Sequence, residues 1–143
     1  MGISELIDRT ESTVRFSEVD AMGIVWHGNF AKYMEDGRES FGRRFGLGYY
    51  ELYEQGLLVP IVNMNIDYKL QVKYGERIVI ETTWKNCAAA KILFRYSIWR
   101  ESDRALFMTA QTTQVFLNMK RDLELCNPDF YQEWKKRNGV EIL

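Results

Sequence analysis

From Arg15 to Asn29 the chain reads Arg-Phe-Ser-Glu-Val-Asp-Ala-Met-Gly-Ile-Val-Trp-His-Gly-Asn, its densest run of groups able to do chemistry. Asp20 offers a carboxylate that can attack an electrophilic carbon or take a proton from water. His27, the only histidine, follows seven positions later with an imidazole suited to steering water or touching a substrate. Each also has a plain structural use. An Asp ahead of Ala-Met-Gly is an ordinary turn former, a lone histidine beside Trp26 serves equally as a junction residue, and Asn29 suits a helix cap better than a ligand group.

The elements that must hold these groups are written in the periodicity. Residues Thr13 to Val19 alternate polar and apolar and predict a first strand, which places Asp20 at a strand end, in the turn Asp20-Ala21-Met22-Gly23. Phe30, Met34, Gly37, Phe41 and Phe45 then recur at helical spacing, with Lys32, Glu35, Asp36, Glu39 and Arg43 on the other side. This predicts one long amphipathic helix with Asn29 as N-cap and Gly46 as stop. Gly37 and Gly42 inside it cost stability relative to alanine, so something must approach the helix closely there. Tyr49 to Gln55 reads as a short second helix.

From Val59 the period becomes two. Val62, Met64, Ile66 and Tyr68 share one strand face, Ile78, Ile80, Thr82 and Trp84 the next, and Ile92, Phe94, Tyr96 and Ile98 a third. Leu106 to Leu117 follows the polar turn Glu101 to Arg104, and Asn127-Pro128 opens a terminal helix as N-cap and first helical residue. The order predicts an α+β fold, a five-stranded antiparallel sheet wrapped around one long helix, with a C-terminal helix.

With 143 residues, 46% of them hydrophobic, residues 1–143 are expected to form one domain. Nineteen basic against twenty acidic side chains leave no field to gather nucleic acid or an anionic membrane, so a phosphate-bearing ligand must be held locally. Arg43-Arg44 and Lys135-Lys136-Arg137 read as solvated faces first. Cys87 and Cys126, 39 positions apart, and a single histidine exclude a zinc knuckle or a CxxC redox pair. The N-terminal residues lack the apolar run of a secretory leader. Leu57 to Ile66, interrupted by Pro60, Asn63 and Asn65, is too short to span a membrane. A cytoplasmic protein is expected.

The pattern Asp-x-x-Gly-Ile-Val-x-x-x-Asn, from Asp20 to Asn29, resembles the signature of hotdog-fold thioesterases of the 4-hydroxybenzoyl-CoA thioesterase type. It is similar also to acyl-CoA thioesterases encoded beside bacterial Tol-Pal genes, which usually carry a histidine at the position of His27. Ile66-Asp67-Tyr68-Lys69 followed by Tyr74-Gly75-Glu76 resembles the family's segment entering its second and third strands, with Leu70-Gln71 where a proline is common. The resemblance covers roughly Val14 to Leu117.

That resemblance implies a hotdog fold and hydrolysis of an acyl-CoA or acyl-carrier-protein thioester without metal or redox cofactor. It makes the acidic residue at Asp20 necessary for hydrolysis, as nucleophile or base, and directs the backbone N–H at His27 toward the thioester carbonyl. Such an N–H, at a helix start, is an unpaired donor reinforced by the helix dipole. Substrate contacts are expected from Gly23, Val25, Trp26 and Asn29 in the first motif and from Asn65, Asp67 and Lys69 in the second. Subunits of the family pair their sheets edge to edge with the thioester between them, so a homo-oligomer is expected, a dimer or, as a dimer of dimers, a homotetramer. Val79, Leu93, Trp99 and Phe107 lie off the main inward pattern and suit a second interface. A hydratase or dehydratase of the same fold, or a non-catalytic acyl-CoA-binding module, are the competing readings.

Overall fold

Strands form where apolar residues alternate, and in the computed structural model, which describes residues 2–143, five of them pair antiparallel in one sheet. They are β1 (Glu5–Thr13), β2 (Ile61–Tyr68), β3 (Arg77–Lys85), β4 (Lys91–Arg100) and β5 (Leu106–Val115), in spatial order β1-β3-β4-β5-β2. Three helices complete the fold: α1 (Asn29–Phe45), α2 (Tyr49–Glu54) and α3 (Asp129–Arg137). No helix among the described residues is long and apolar enough to cross a membrane.

The core forms where α1 packs against β1 and β3. Met34 and Phe41 of α1 meet the inward residues Ile78, Ile80 and Trp84 of β3 and Ile92, Phe94, Tyr96 and Ile98 of β4, all buried. Gly46 ends α1 with φ 75°, and its N–H donates to Gly42 O at 2.8 Å, as a left-handed C-cap does. A Cβ on Gly37 would stand 2.3 Å from Thr82 Oγ1 and 2.9 Å from Ile80 Cγ2, so this glycine sets the distance between helix and sheet. Gly37→Ala is therefore expected to cost about 1–3 kcal/mol, read as a lower urea midpoint at unchanged slope. An unchanged midpoint would show that α1 can lift from β3 freely.

Several local expectations are corrected. The first strand ends at Thr13, where the alternation suggested it would begin, and Phe16–Glu18 is a single 3-10 turn. The inward side chains of β1 are Leu6 and Asp8. The buried Asp8 carboxylate accepts Ser40 Oγ at 2.6 Å and faces Arg44 at 3.5 Å, so a charge sits where an apolar residue would have announced the strand. Asp20 consequently does not end a strand. The N-cap of α1 is Gly28, with Asn29 already helical, and Pro128 caps α3 one place before its first turn.

Phe107, read as outward, is fully buried beside Met108. The β4–β5 register shifts between Ile98 and Trp99, pairing Ile98 with Met108 and Trp99 with Leu106, and the bulge turns the intervening Phe107 into the core. Among the described residues β2 is bounded on one side by β5 and on the other by no strand. Val62, Met64 and Tyr68 on one face and Asn63, Asn65 and Asp67 on the other are all exposed.

Candidate active site

The site is assembled around Glu18, a buried acid that organises the chain before α1. Its carboxylate accepts the Arg15 N–H at 2.7 Å and the Tyr33 hydroxyl at 3.0 Å. Burial, reinforced by this carboxylate, pushes the Tyr33 phenol well above its ordinary range, so it remains a protonated donor. The Glu18 carbonyl accepts two further bonds, from Trp26 N–H at 3.1 Å and from the Asn29 side-chain amide at 2.8 Å. Asn29 is buried, and its side-chain amide serves this anchor. Its type matters because only an amide or hydroxyl at the first helical position can reach back to that carbonyl.

Between these anchors the chain makes a small hairpin, bridged at Val19 and Val25, with Asp20 at its turn. Gly23 N–H donates to Asp20 O at 2.9 Å, Met22 N–H to Asp20 Oδ1 at 2.8 Å, and Asp20 N–H to Ile24 O at 2.8 Å. Asp20 thus heads an Asx-type turn that Gly23 closes with φ 78°. The glycine's role here is conformational, at the corner of the turn. The geometry leaves Asp20 half-buried with one oxygen held; among the described residues no donor is bonded to Oδ2. A carboxylate pinned by one oxygen and open at the other can accept a proton or attack carbon without first breaking a bond.

Past the turn, Val25 N–H donates to Val72 O at 2.7 Å, Ile24 bridges Lys73, and the chain enters α1 through Trp26-His27-Gly28. Among the described residues the backbone N–H groups of His27 and Gly28 make no hydrogen bond, as the first donors of a helix should. The carbonyl of His27 is held by the Tyr68 hydroxyl at 3.1 Å, and Phe30 packs edge-on against the same Tyr68 ring. The Trp26 indole folds back over Gly28, where a Cβ would stand 2.3 Å from the ring. Gly28 is needed for that fold, and Trp26 shields the junction while remaining 51% exposed.

A cavity of about 300 Å³ opens at this helix start, with His27, Val25, Phe30, Tyr68, Lys69 and Val72 in its wall. Three of the expected site residues, Val25, His27 and Lys69, therefore come together. Asp20 lies outside the wall, joined to it through Ile24. Asn65 and Asp67 do not reach the cavity; both are exposed on β2, where Asn65 donates to Asn63 Oδ1 at 2.9 Å. Spacing and residue type single out neither Tyr68 nor Gly28. Tyr68 reads as one more apolar position of its strand, and only its place within Ile66-Asp67-Tyr68-Lys69 marks it. For Gly28 the available signal was a residue without a side chain next to tryptophan and histidine.

The model of the thioesterase-like superfamily matches residues 14–135, which takes in the turn, the helix start and the whole sheet beyond β1. The chain belongs to the thioesterase-like superfamily. This thioesterase is 36% identical over 93 residues to the Bacillus subtilis protein YneP, spanning 65% of this chain and 67% of that protein. It is 26% identical over 112 residues to the 4-hydroxybenzoyl-CoA thioesterase of Pseudomonas sp. strain CBS-3, spanning 74% and 79% of the two. Among solved structures, the DHNA-CoA thioesterase of Staphylococcus aureus superposes with a TM-score of 0.80 at 25% identity, covering 91% of this thioesterase and 87% of that chain. The hotdog fold and thioester hydrolysis expected from the Asp20 to Asn29 motif are those of the family.

Proposed function

We propose that the chain hydrolyses acyl-CoA thioesters at the junction between the Asp20 turn and the start of α1, giving a carboxylic acid and free CoA. The observation that carries this reading is the pair of unbonded N–H groups of His27 and Gly28 at the helix start, with a carboxylate that keeps one free oxygen in the turn leading into it through Ile24. In the base route, Asp20 takes a proton from water, the hydroxide attacks the thioester carbon, and the oxyanion is received by those N–H donors at the positive end of α1. The tetrahedral species then collapses, the C–S bond breaks, and the thiolate takes up the proton from Asp20. In the nucleophilic route the Asp20 oxygen itself displaces the thiolate, and water hydrolyses the resulting anhydride. Both routes use the same atoms. Lys69, exposed at the rim of the cavity, is placed to meet a phosphate of CoA.

The same reading makes the catalytic unit a dimer. The free edge of β2 invites pairing with β2 of a second copy, and Val62 and Met64 there are 58% and 38% exposed. Such pairing would bring Asn65 and Asp67 toward a neighbouring site and complete a groove that one chain leaves open. Two dimers joined through the sheet face bearing Val79 and Trp99 would give a tetramer. The unpaired thiols of Cys87 and Cys126 suit a cytoplasmic setting.

The test is a panel of short, long and aromatic acyl-CoAs, with parallel acyl-carrier-protein donors, following thiol release. Saturable release with at least one acyl-CoA is expected, together with a dimer or tetramer by sedimentation equilibrium at micromolar concentration. Hydration of an enoyl-CoA without thiol release would replace the reading with the hydratase one, and binding without turnover with a carrier role.

A further inference from the structure

Midway along α1 a guanidinium is buried with no acid to pair it among the described residues. Arg38 is 7% exposed, and its Nε and Nη1 donate to the hydroxyls of Tyr49 at 3.1 Å and Tyr96 at 3.0 Å. Among the described residues no carboxylate oxygen lies within 4.0 Å of it, and Nη2 makes no bond. Desolvation holds the Tyr96 phenol above its ordinary range, so it stays a neutral hydroxyl. Both partners are neutral hydroxyls, so the guanidinium keeps its full charge in this buried position with no opposite charge to pair it.

Arg38 also borders an open cavity of about 400 Å³, a volume within the ordinary range for small-ligand sites. Leu52, Val59 and Phe94 supply apolar walls, and the buried Gln114 amide sits beside Tyr49, to whose hydroxyl it donates at 3.2 Å. Of the acids on the rim, Glu51 is engaged with the Gly48 N–H at 2.7 Å and Glu39 is exposed. This cavity shares no residue with the one at the start of α1. Arg38 follows His27 by eleven positions, roughly 16 Å along the axis at the usual helical rise.

An unpaired cation at the polar end of an apolar chamber selects for one kind of ligand. Inorganic phosphate would satisfy the charge and leave the walls wet, whereas a neutral hydrocarbon would fill the walls and leave the charge alone. We infer that the Arg38 cavity binds a free carboxylic acid on an apolar stem, with the carboxylate on Arg38 and Tyr49 and the hydrocarbon between Leu52, Val59 and Phe94. Such acids are the chemical class that thioester hydrolysis releases, but the inference rests on the cavity alone and not on the reaction.

The experiment is calorimetric titration of the full chain with octanoate, octanamide and octanoyl-CoA as probes. Octanoate is expected to bind once per chain in the wild type and in Asp20→Asn alike. In Arg38→Met its affinity should fall tenfold or more, with octanamide binding unaffected. Arg38→Met leaves Tyr49 bonded to Gln114 and Tyr96 bonded to Thr112 at 2.6 Å, so its melting temperature without ligand should hold or rise. A guanidinium ¹⁵N signal of Arg38 that moves on octanoate addition supplies the same answer in the unaltered chain. No saturable octanoate binding, equal affinity in Arg38→Met, loss of binding in Asp20→Asn, a lowered melting temperature of unliganded Arg38→Met, or a stationary Arg38 signal would each overturn the inference. Competition of octanoyl-CoA for the same site at equal strength in Asp20→Asn, where the thioester is not turned over to octanoate, would do so too, because the thioester has no carboxylate to offer.

Discussion

Asp20→Asn should lower acyl-CoA turnover by about a hundredfold or more and leave the melting temperature unmoved. The turn around Asp20 explains why this substitution is clean. Met22 N–H needs an acceptor at Oδ1, which an asparagine carbonyl supplies, and Gly23 still closes the corner by donating to the backbone carbonyl of residue 20. What disappears is the charge and the open carboxylate oxygen, the only features of Asp20 that either hydrolytic route uses. Asp20→Ala is less informative because it also removes the acceptor that holds the turn. His27→Ala should reduce the rate by a smaller factor, since the backbone N–H remains while the exposed imidazole is lost. The measurement is steady-state thiol release on the best substrate with circular dichroism of each variant. Near-normal turnover in a folded Asp20→Asn chain would sink the catalytic assignment.

The largest effect on stability is expected at Trp134, where alanine should cost about 3–5 kcal/mol. The indole is fully buried, stacks on Tyr131 at 5.7 Å, and meets the Trp84 ring edge-on at 5.0 Å. Its N–H donates to Phe45 O at 2.7 Å, one of the last carbonyls of α1, which would otherwise be left without an intrahelical partner. Trp84 donates in turn to the Tyr131 hydroxyl at 2.9 Å, so α3, β3 and the end of α1 share one aromatic cluster. Truncation therefore opens a cavity and orphans a carbonyl together. Trp134→Phe, which keeps most of the ring and loses the donor, should cost nearer about 1–3 kcal/mol. Urea unfolding separates the two. If Trp134→Ala shifts the midpoint no more than a surface change would, α3 is an ornament on the sheet and not part of its core.

The readable parts of this chain were those in which one physical requirement dominates each position. In α1 the spacing of Phe30, Met34, Phe41 and Phe45 and the stop at Gly46 are set by burial and by the left-handed cap. In β4 every second residue is apolar because it is inside, and β3 follows the same rule except at the buried Thr82. The first strand is hidden in the sequence because a carboxylate, Asp8, occupies an inward position and is satisfied by Ser40 and Arg44, partners 32 and 36 residues away. Phe16 to Glu18 imitated a strand, yet Phe16 is 77% exposed and Glu18 is the buried one. Arg38 is illegible in the sequence for a related reason: it lies on the buried face with Met34 and Phe41, but a charged side chain is ordinarily solvated. In the site itself, the motif pointed to Asp20 and to the helix start, whereas the second use of Asn29 depends on the Glu18 carbonyl, a backbone group that no residue letter displays.

The residue that the bulge turns inward, Phe107, also anchors the far wall of the cavity at the start of α1. The carbonyl of Phe107 accepts the N–H groups of both Lys69 and Leu70, at 2.8 and 3.1 Å, so the backbone leaving β2 is bolted to β5 while the side chains of Lys69, Leu70 and Gln71 stand exposed. Anchorage and side-chain identity are thereby decoupled at this wall. Selection acting on this lineage can exchange those three side chains, and with them the shape and charge presented to the substrate, without renegotiating the course of the chain. A scaffold arranged in this way diversifies its preferences by ordinary point substitution, with no insertion or change of topology required.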